Sequence, residues 1–363
     1  MAIKLEEKSN EHRRHRRSNI ELLRIISMVI IVAHHYVVNS GLLSCIDAKS
    51  SLDAIDYFLL IFGWGGKTAI NCFVLVTGYF MCTSNIAKNK FFKLLREYYF
   101  YTVIIWCLFF FSKYETFSIK SLLKMLFPFF AVSDDFISCF LLFYLLIPFI
   151  NKLIHSLTER EHLKLILWCL AVYVVLPSFA MANVVFNYVT WFSIIYILAS
   201  YIRLYSKAWM ENRRVIGILM VFTLLCSWLS VVILAGISRK MGIRIDICYF
   251  FLADSNKILA LATSVSMFLF FKNLKIGQHR IINLIAASTF GVLLIHANSD
   301  MMRRWLWNDI CNNIGMYENG NSVYHAIGCV MIIYIVCKLI DMIRIRLGDI
   351  IENKIKGYCK LRI

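Results

Sequence analysis

Residues 18–40, SNIELLRIISMVIIVAHHYVVNS, form an apolar run long enough to cross a bilayer, yet they carry Glu21, Arg24, His34 and His35. A charge at the middle of a span costs about 2.5–3.5 kcal/mol on insertion scales, so the residues that persist there usually face a polar interior. Arg24 and His35 are eleven residues apart. At about 100° per residue that is three turns plus about 20°, so both lie on one helix face, about 16 Å apart along the axis. His34 points about 80° away from that face. One helix thus stacks an anion-binding guanidinium and a proton-exchanging imidazole along a single stripe. Glu21 stands three residues before Arg24, where it can pair with and orient the cation. The bland alternatives are an arginine snorkelling to the headgroups and a histidine satisfied in the core.

Other residues could join that stripe. The run GVLLIHAN brings His296 to the level expected for His35, where the two imidazoles could share a site and His296 is a candidate substrate contact, or is a lone interfacial histidine. In WGGKTAINCFVLVTGYF, Lys67 and Asn71 are four apart and share a face, so both are candidate substrate contacts. Thr77 and Gly78 favour close helix packing. Asp254 and Lys257 are spaced for a structural ion pair or a substrate contact. In KNKFFKLLREYY, Lys90, Lys93 and Arg96 recur every three residues, and read either as a surface for phosphate groups or as a topology signal. There is no Walker A, GxSxG or HExxH motif, which leaves an ATPase, a serine-hydrolase domain and zinc proteolysis unsupported.

These residues must be positioned by a membrane bundle. Hydrophobic residues make up 60% of the 363, and charged residues only 17%. Repeated apolar runs of about twenty residues mark an all-α, polytopic helical membrane protein; nothing alternates as a barrel strand would. The twelve cysteines have no metal-type spacing and mostly lie in apolar runs, where they act as small hydrophobes. Neither a disulfide framework nor a metal site is expected. The first run contains Arg24 and lacks a small-residue cleavage site, and so reads as an uncleaved span.

Ten spans are expected, near 19–39, 57–81, 96–112, 136–154, 163–179, 186–202, 215–236, 249–271, 281–299 and 324–343; the amphipathic stretch 119–130 is too short to cross and suits the interface. With the N-terminus in the cytoplasm, inside segments hold 27 of the Lys and Arg residues and outside segments 10. That bias supports ten spans with both termini inside, and assigns the net charge of +17 to topology and anionic lipid, not to nucleic acid. The expected organisation is a basic segment 1–18, a membrane-embedded domain 19–345 and a basic cytoplasmic tail 346–363.

Several stretches together resemble the acyltransferase 3 family of integral-membrane acyltransferases. IELLRIISMVIIVAHHY looks like the family's first-span signature, with Glu21, Arg24 and His35 at its acid, Arg and His positions. FVLVTGYF, KNKFFKLLREYYFYT, LLFYLLIPFINKLI, FSIIYILASYIRLY and STFGVLLIHANSDMMRRWLW are similar to later family segments. The chain departs from the pattern at Thr77, where Ser is usual, at Ile137–Phe140, where Trp-Phe often stands, and at Ala199, where Gly is common.

The resemblance implies transfer of an acyl group, usually acetyl from acetyl-CoA, to a hydroxyl of a surface polysaccharide, glycolipid or lipid-linked sugar at a bacterial cytoplasmic membrane. His35 would then be the base or the acyl carrier. Arg24, with Lys90, Lys93 and Arg96, would hold the donor's phosphates. Acyl-CoA is a substrate here, and no permanently bound cofactor is implied. Succinyl is an alternative acyl group. A transporter or flippase for a glycan-lipid or small solute is the competing reading, though no internal repeat is visible. A scaffold whose polar residues serve only packing is a third.

Overall fold

A computed structural model describes residues 17–360 apart from 85–87, 115–117, 128–135, 180, 181, 183, 185 and 186. The basic residues 1–16 expected at the cytoplasmic end lie outside these, as do 128–130 of the expected interfacial stretch. Among the described residues every regular element is helical. In chain order they are α1 (Ser18–Val38), α2 (Leu42–Asp47), α3 (Ala54–Phe62), α4 (Gly66–Met81), α5 (Lys88–Phe111), α6 (Ile119–Leu126), α7 (Phe136–Ser156), α8 (Glu159–Leu170), a π-helical turn Ala171–Val175, α9 (Leu176–Phe179), α10 (Tyr188–Leu204), α11 (Ala208–Glu211), α12 (Arg213–Met241), a 3₁₀ turn Ile245–Tyr249, α13 (Ile258–Lys272), α14 (Arg280–Ala286), α15 (Thr289–His296), α16 (Asp300–Arg304), a π-helical segment Trp305–Ile310, α17 (Asn313–Glu318) and α18 (Ser322–Lys360).

Among the described residues seven helices are long and apolar enough to cross a membrane: α1, α3 with α4, α5, α7, α8 through α9, α12, and α18 as far as Ile351. The segment Arg280–His296 continues into Asp300–Ile310 with a bend of 95°. The 17-residue α10 and 15-residue α13 are apolar but shorter, about 25 and 22 Å long. Each of the ten expected stretches contains helix, but among the described residues only seven helices are long enough to cross unaided. The stretch expected from 249 becomes α-helical only at Ile258. The Asp254–Lys257 helical pair accordingly gives way: Lys67 lies 3.7 Å from Asp254, and Lys257 Nζ donates to the Pro177 carbonyl at 2.8 Å.

Local chemistry sets the helix ends. Asp53 Oδ1 accepts the Ile55 and Asp56 amides, and Asp56 Oδ2 accepts the Asp53 amide, a reciprocal cap that starts α3. Asn212 caps α12, and Gly242, at φ +64°, ends it. α1 stops before Gly41, whose φ of +84° suits a residue without Cβ.

The expected second span is broken at Gly63–Gly65, and α1 explains why. A Cβ at Gly65 would come within 2.5 Å of Ile30 Cγ2, and one at Gly66 within 2.3 Å of His34 Cγ. His34 Nδ1–H donates to the Gly63 carbonyl at 2.6 Å. The WGG stretch is thus where α1 presses into the broken span. Gly78 is a packing residue, as expected: its Cβ would meet Ala199 Cβ at 2.8 Å. α4 lies at the centre of the bundle, against α1, α10 and α13.

A second brace lies at the Arg24 end. Asp341, fully buried on α18, takes hydrogen bonds from Tyr101 OH at 2.7 Å and Arg344 Nε at 2.8 Å. Arg344 also meets Glu97 at 2.9 Å. The carboxyl lies against Gly291, where a Cβ would approach it to 2.3 Å. These contacts tie α5, α15 and α18 together. Its signal in the sequence is an acid inside an apolar run with Arg three residues later.

Candidate active site

A cavity of about 820 Å³ lies against α1. Arg24 and Lys90 line one end; His35, Lys67, Tyr188 and Arg303 line the other part of its wall. The stripe expected from helical phase therefore opens onto one chamber. His34 is not on that wall and is held by Gly63 instead.

Glu21 fixes Arg24, with Oε2 3.1 Å from its Nη1. The Arg24 side chain keeps 27% of its surface exposed, against 11% for Glu21. The acid thus orients the cation from behind and leaves guanidinium donors facing the cavity.

His35 Nδ1 is 3.1 Å from His296 Nε2, and His296 Nδ1 is 2.6 Å from the Val292 carbonyl. A carbonyl only accepts, so His296 Nδ1 carries a proton. In the neutral pair, His296 Nε2 then accepts from His35 Nδ1–H. That leaves the lone pair of His35 on Nε2, which has no hydrogen-bond partner among the described residues and is not sealed from the cavity. The chain from Val292 through His296 selects the tautomer that turns a basic nitrogen toward the chamber.

On the same wall, Lys67 Nζ donates to Tyr188 OH and lies 3.7 Å from Asp254. Tyr188 OH donates to Asp254 Oδ1 at 3.2 Å. An ammonium has three N–H groups, so Lys67 retains donor capacity toward the cavity. Arg303 is paired with Asp300, which also lines the cavity.

Four residues depart from their expected places. His296 meets His35 at the expected level, but it is fully buried and off the wall, so it is not placed to touch substrate. Asn71 is fully buried and ties three elements: its Nδ2 donates to the Ser255 carbonyl at 2.7 Å, and its Oδ1 accepts from Trp191 Nε1 at 3.0 Å. Of the three basic residues on α5, Lys90 reaches the cavity, whereas Lys93 and Arg96 are exposed away from it. A step of three falls about 60° short of a full turn, so two steps carry Arg96 about 120° around from Lys90. Tyr188 and Arg303 were not expected. Arg303 stood in the sequence only within the segment STFGVLLIHANSDMMRRWLW, and Tyr188 had no local signal.

Compared with known families, residues 17–341 match a model described as an acyltransferase domain. The chain belongs to the acyltransferase 3 family. No curated protein and no solved structure matched it. Membership covers most of the chain and makes the protein a membrane acyltransferase by family. In this family member the first-span residues Arg24 and His35 share one chamber. Among the described residues no cluster of three or more His, Cys, Asp or Glu is arranged to hold a metal.

Proposed function

We propose that this chain transfers an acetyl group from acetyl-CoA to a hydroxyl of a surface polysaccharide or glycolipid, at the cytoplasmic membrane of a bacterium, with both termini inside. The observation that carries the reading is the Val292–His296–His35 relay, which aims an unprotonated Nε2 into the chamber that Arg24 shares. A sugar hydroxyl is a weak nucleophile at neutral pH and needs such a base.

Size supports the same reading. The pantetheine arm has twelve bonds from its phosphate ester to sulfur, the backbone of about four residues, and so reaches about 14 Å extended. The stripe from Arg24 to His35 rises about 16 Å. With the pyrophosphate at Arg24 and Lys90, the thioester arrives near His35. As the acceptor oxygen attacks the thioester carbonyl, His35 Nε2 takes its proton. The carbonyl electrons become an oxyanion, for which Lys67 and Arg303 are the cationic donors on that part of the wall. Collapse breaks the C–S bond, and the imidazolium returns the proton to the leaving thiolate.

The test is label transfer in membranes given radiolabelled acetyl-CoA and an acceptor glycan. Wild type should label the glycan and His35→Ala should not. Equal labelling by the variant sinks the assignment. A succinyl-CoA arm in the same assay identifies the acyl group. Movement of a glycan-lipid with no acyl donor present would favour a transporter.

A further inference from the structure

Two thiols meet outside the cavity, at the same end of the bundle as His35. Cys311 closes the segment Trp305–Ile310, and Cys329 lies near the start of α18. Their Sγ atoms are 3.1 Å apart, and both residues are buried. Non-bonded carbons pack at about 3.5–4.0 Å, and sulfur is the larger atom. The two thiols are therefore in direct contact, with Cys329 Sγ–H donating to Cys311 Sγ and no side chain between them.

The surroundings do not make this pair half of a metal site. Among the described residues no third ligand completes one. The imidazole of His325, one turn before Cys329, is taken up by Tyr36 OH at 2.8 Å and by the backbone of Cys311. The pair also has a structural setting in which a covalent tie would act. Asn313 Nδ2, two residues past Cys311, donates to the Tyr36 carbonyl at 3.0 Å. The Trp307 ring meets the Tyr36 ring edge-on, 5.9 Å between centroids. Tyr36 is the residue after His35, so the segment bearing Cys311 and the helix bearing Cys329 grip the end of α1 from two sides.

We propose that Cys311 and Cys329 form a disulfide in the native membrane, a brace for the end of the helix that carries His35. The charge distribution assigns this end to the outer face, where the environment is oxidising. The step is thiol–disulfide exchange with a disulfide-bearing oxidant of that face. One cysteine thiolate attacks the oxidant's disulfide and releases one thiol. The second cysteine then attacks the mixed disulfide and releases the other. One S–S bond forms in the protein, and the oxidant leaves as two thiols carrying both electrons and both protons. The brace does not depend on which reaction His35 performs.

The experiment uses the full chain in membranes of the native cell, denatured in detergent with an alkylating maleimide and no reductant, then digested for mass spectrometry. The expected result is a cross-linked peptide containing Cys311 and Cys329, two hydrogens lighter than the sum of its parts and split by reductant. Alkylation of both residues without prior reduction overturns the proposal. A Cys311→Ser variant should leave Cys329 open to alkylation under the same conditions. Reductant should lower the Tm of the wild type by several degrees and leave that of the C311S/C329S double variant unchanged. Equal shifts in the two proteins also overturn it.

Discussion

His35 and His296 stand 261 residues apart in the chain, and their rings meet with Nδ1 and Nε2 3.1 Å apart. The contact joins α1 to α15 and passes the direction of one backbone carbonyl, that of Val292, to the open nitrogen of His35. His34, its neighbour in sequence, is used for a different purpose, the tie between α1 and the broken second span.

The paired histidines should therefore separate cleanly. His35→Ala is expected to lower transfer by about 10²–10⁴-fold, the usual contribution of a positioned acid–base group. His34→Ala should keep most turnover per folded molecule and lower the Tm, because the Gly63 carbonyl loses its donor. Label transfer normalised to folded protein, with a melting curve for each variant, distinguishes them. Equal losses of turnover would end the stripe argument.

His296→Phe fills much of the same space and removes the acceptor for His35 Nδ1–H. The His35 tautomer is then no longer selected. The expected loss is about 10²-fold and falls on kcat, with KM for the acyl donor little changed. A rise in KM for the acceptor glycan at constant kcat would instead mean that His296 touches substrate.

Donor binding should depend on Arg24 and Lys90 and not on their neighbours. Loss of a charge-assisted contact of about 1.5–3 kcal/mol gives a KM for acyl-CoA raised about 10- to 100-fold in Arg24→Ala. Lys93→Ala and Arg96→Ala, whose side chains lie off the cavity wall, should stay within about twofold of wild type, as exposed charges do. Titrating acyl-CoA in initial-rate assays reads all three.

Gly66→Ala places a Cβ 2.3 Å from His34 Cγ. α1 and α4 must then separate, at a cost of about 1–3 kcal/mol. Gly217→Ala is the control: its Cβ would meet Phe270 at 3.5 Å, an ordinary contact, and helix propensity favours alanine by about 1 kcal/mol. Thermal melts should move in opposite directions. A stable Gly66→Ala protein would show that the close approach is not needed.

Asp47, in the short helix after α1, accepts from Arg239 Nη2 at 2.7 Å and from the Ile245 amide at 2.7 Å. The Arg239 hydrogen bond, and then the Ile245 amide, hold its carboxyl below the ordinary carboxylate range. A group whose folded value is depressed stabilises fully above its unfolded value, about 3.9, and loses that contribution as pH falls through the folded one. The Tm difference between wild type and Asp47→Asn should therefore be constant from neutral pH down to about pH 5 and shrink on further acidification. A gap that widens in acid would reverse the sign.

The sequence by itself determined the helical membrane class, the family, and the shared face of Arg24 and His35. Each rests on local regularities: apolar run length against bilayer thickness, motif spacing, and the 3.6-residue period. The Glu21–Arg24 pair was legible for the same reason, lying within one turn. Local spacing failed where it was pushed further. A period of three does not hold one face over two steps, so Arg96 left the cavity. A polar residue on an apolar helix can equally line a cavity or tie helices, so Asn71 and His296 were read as substrate contacts. Tertiary structure alone decided those cases, because hydrogen-bond partners such as Ser255, Trp191 and His35 come from helices far away in sequence. It also decided what no local pattern encodes: the Tyr188–Asp254 support for Lys67, the buried Asp341 against Gly291, and the tautomer of His35 on the cavity wall.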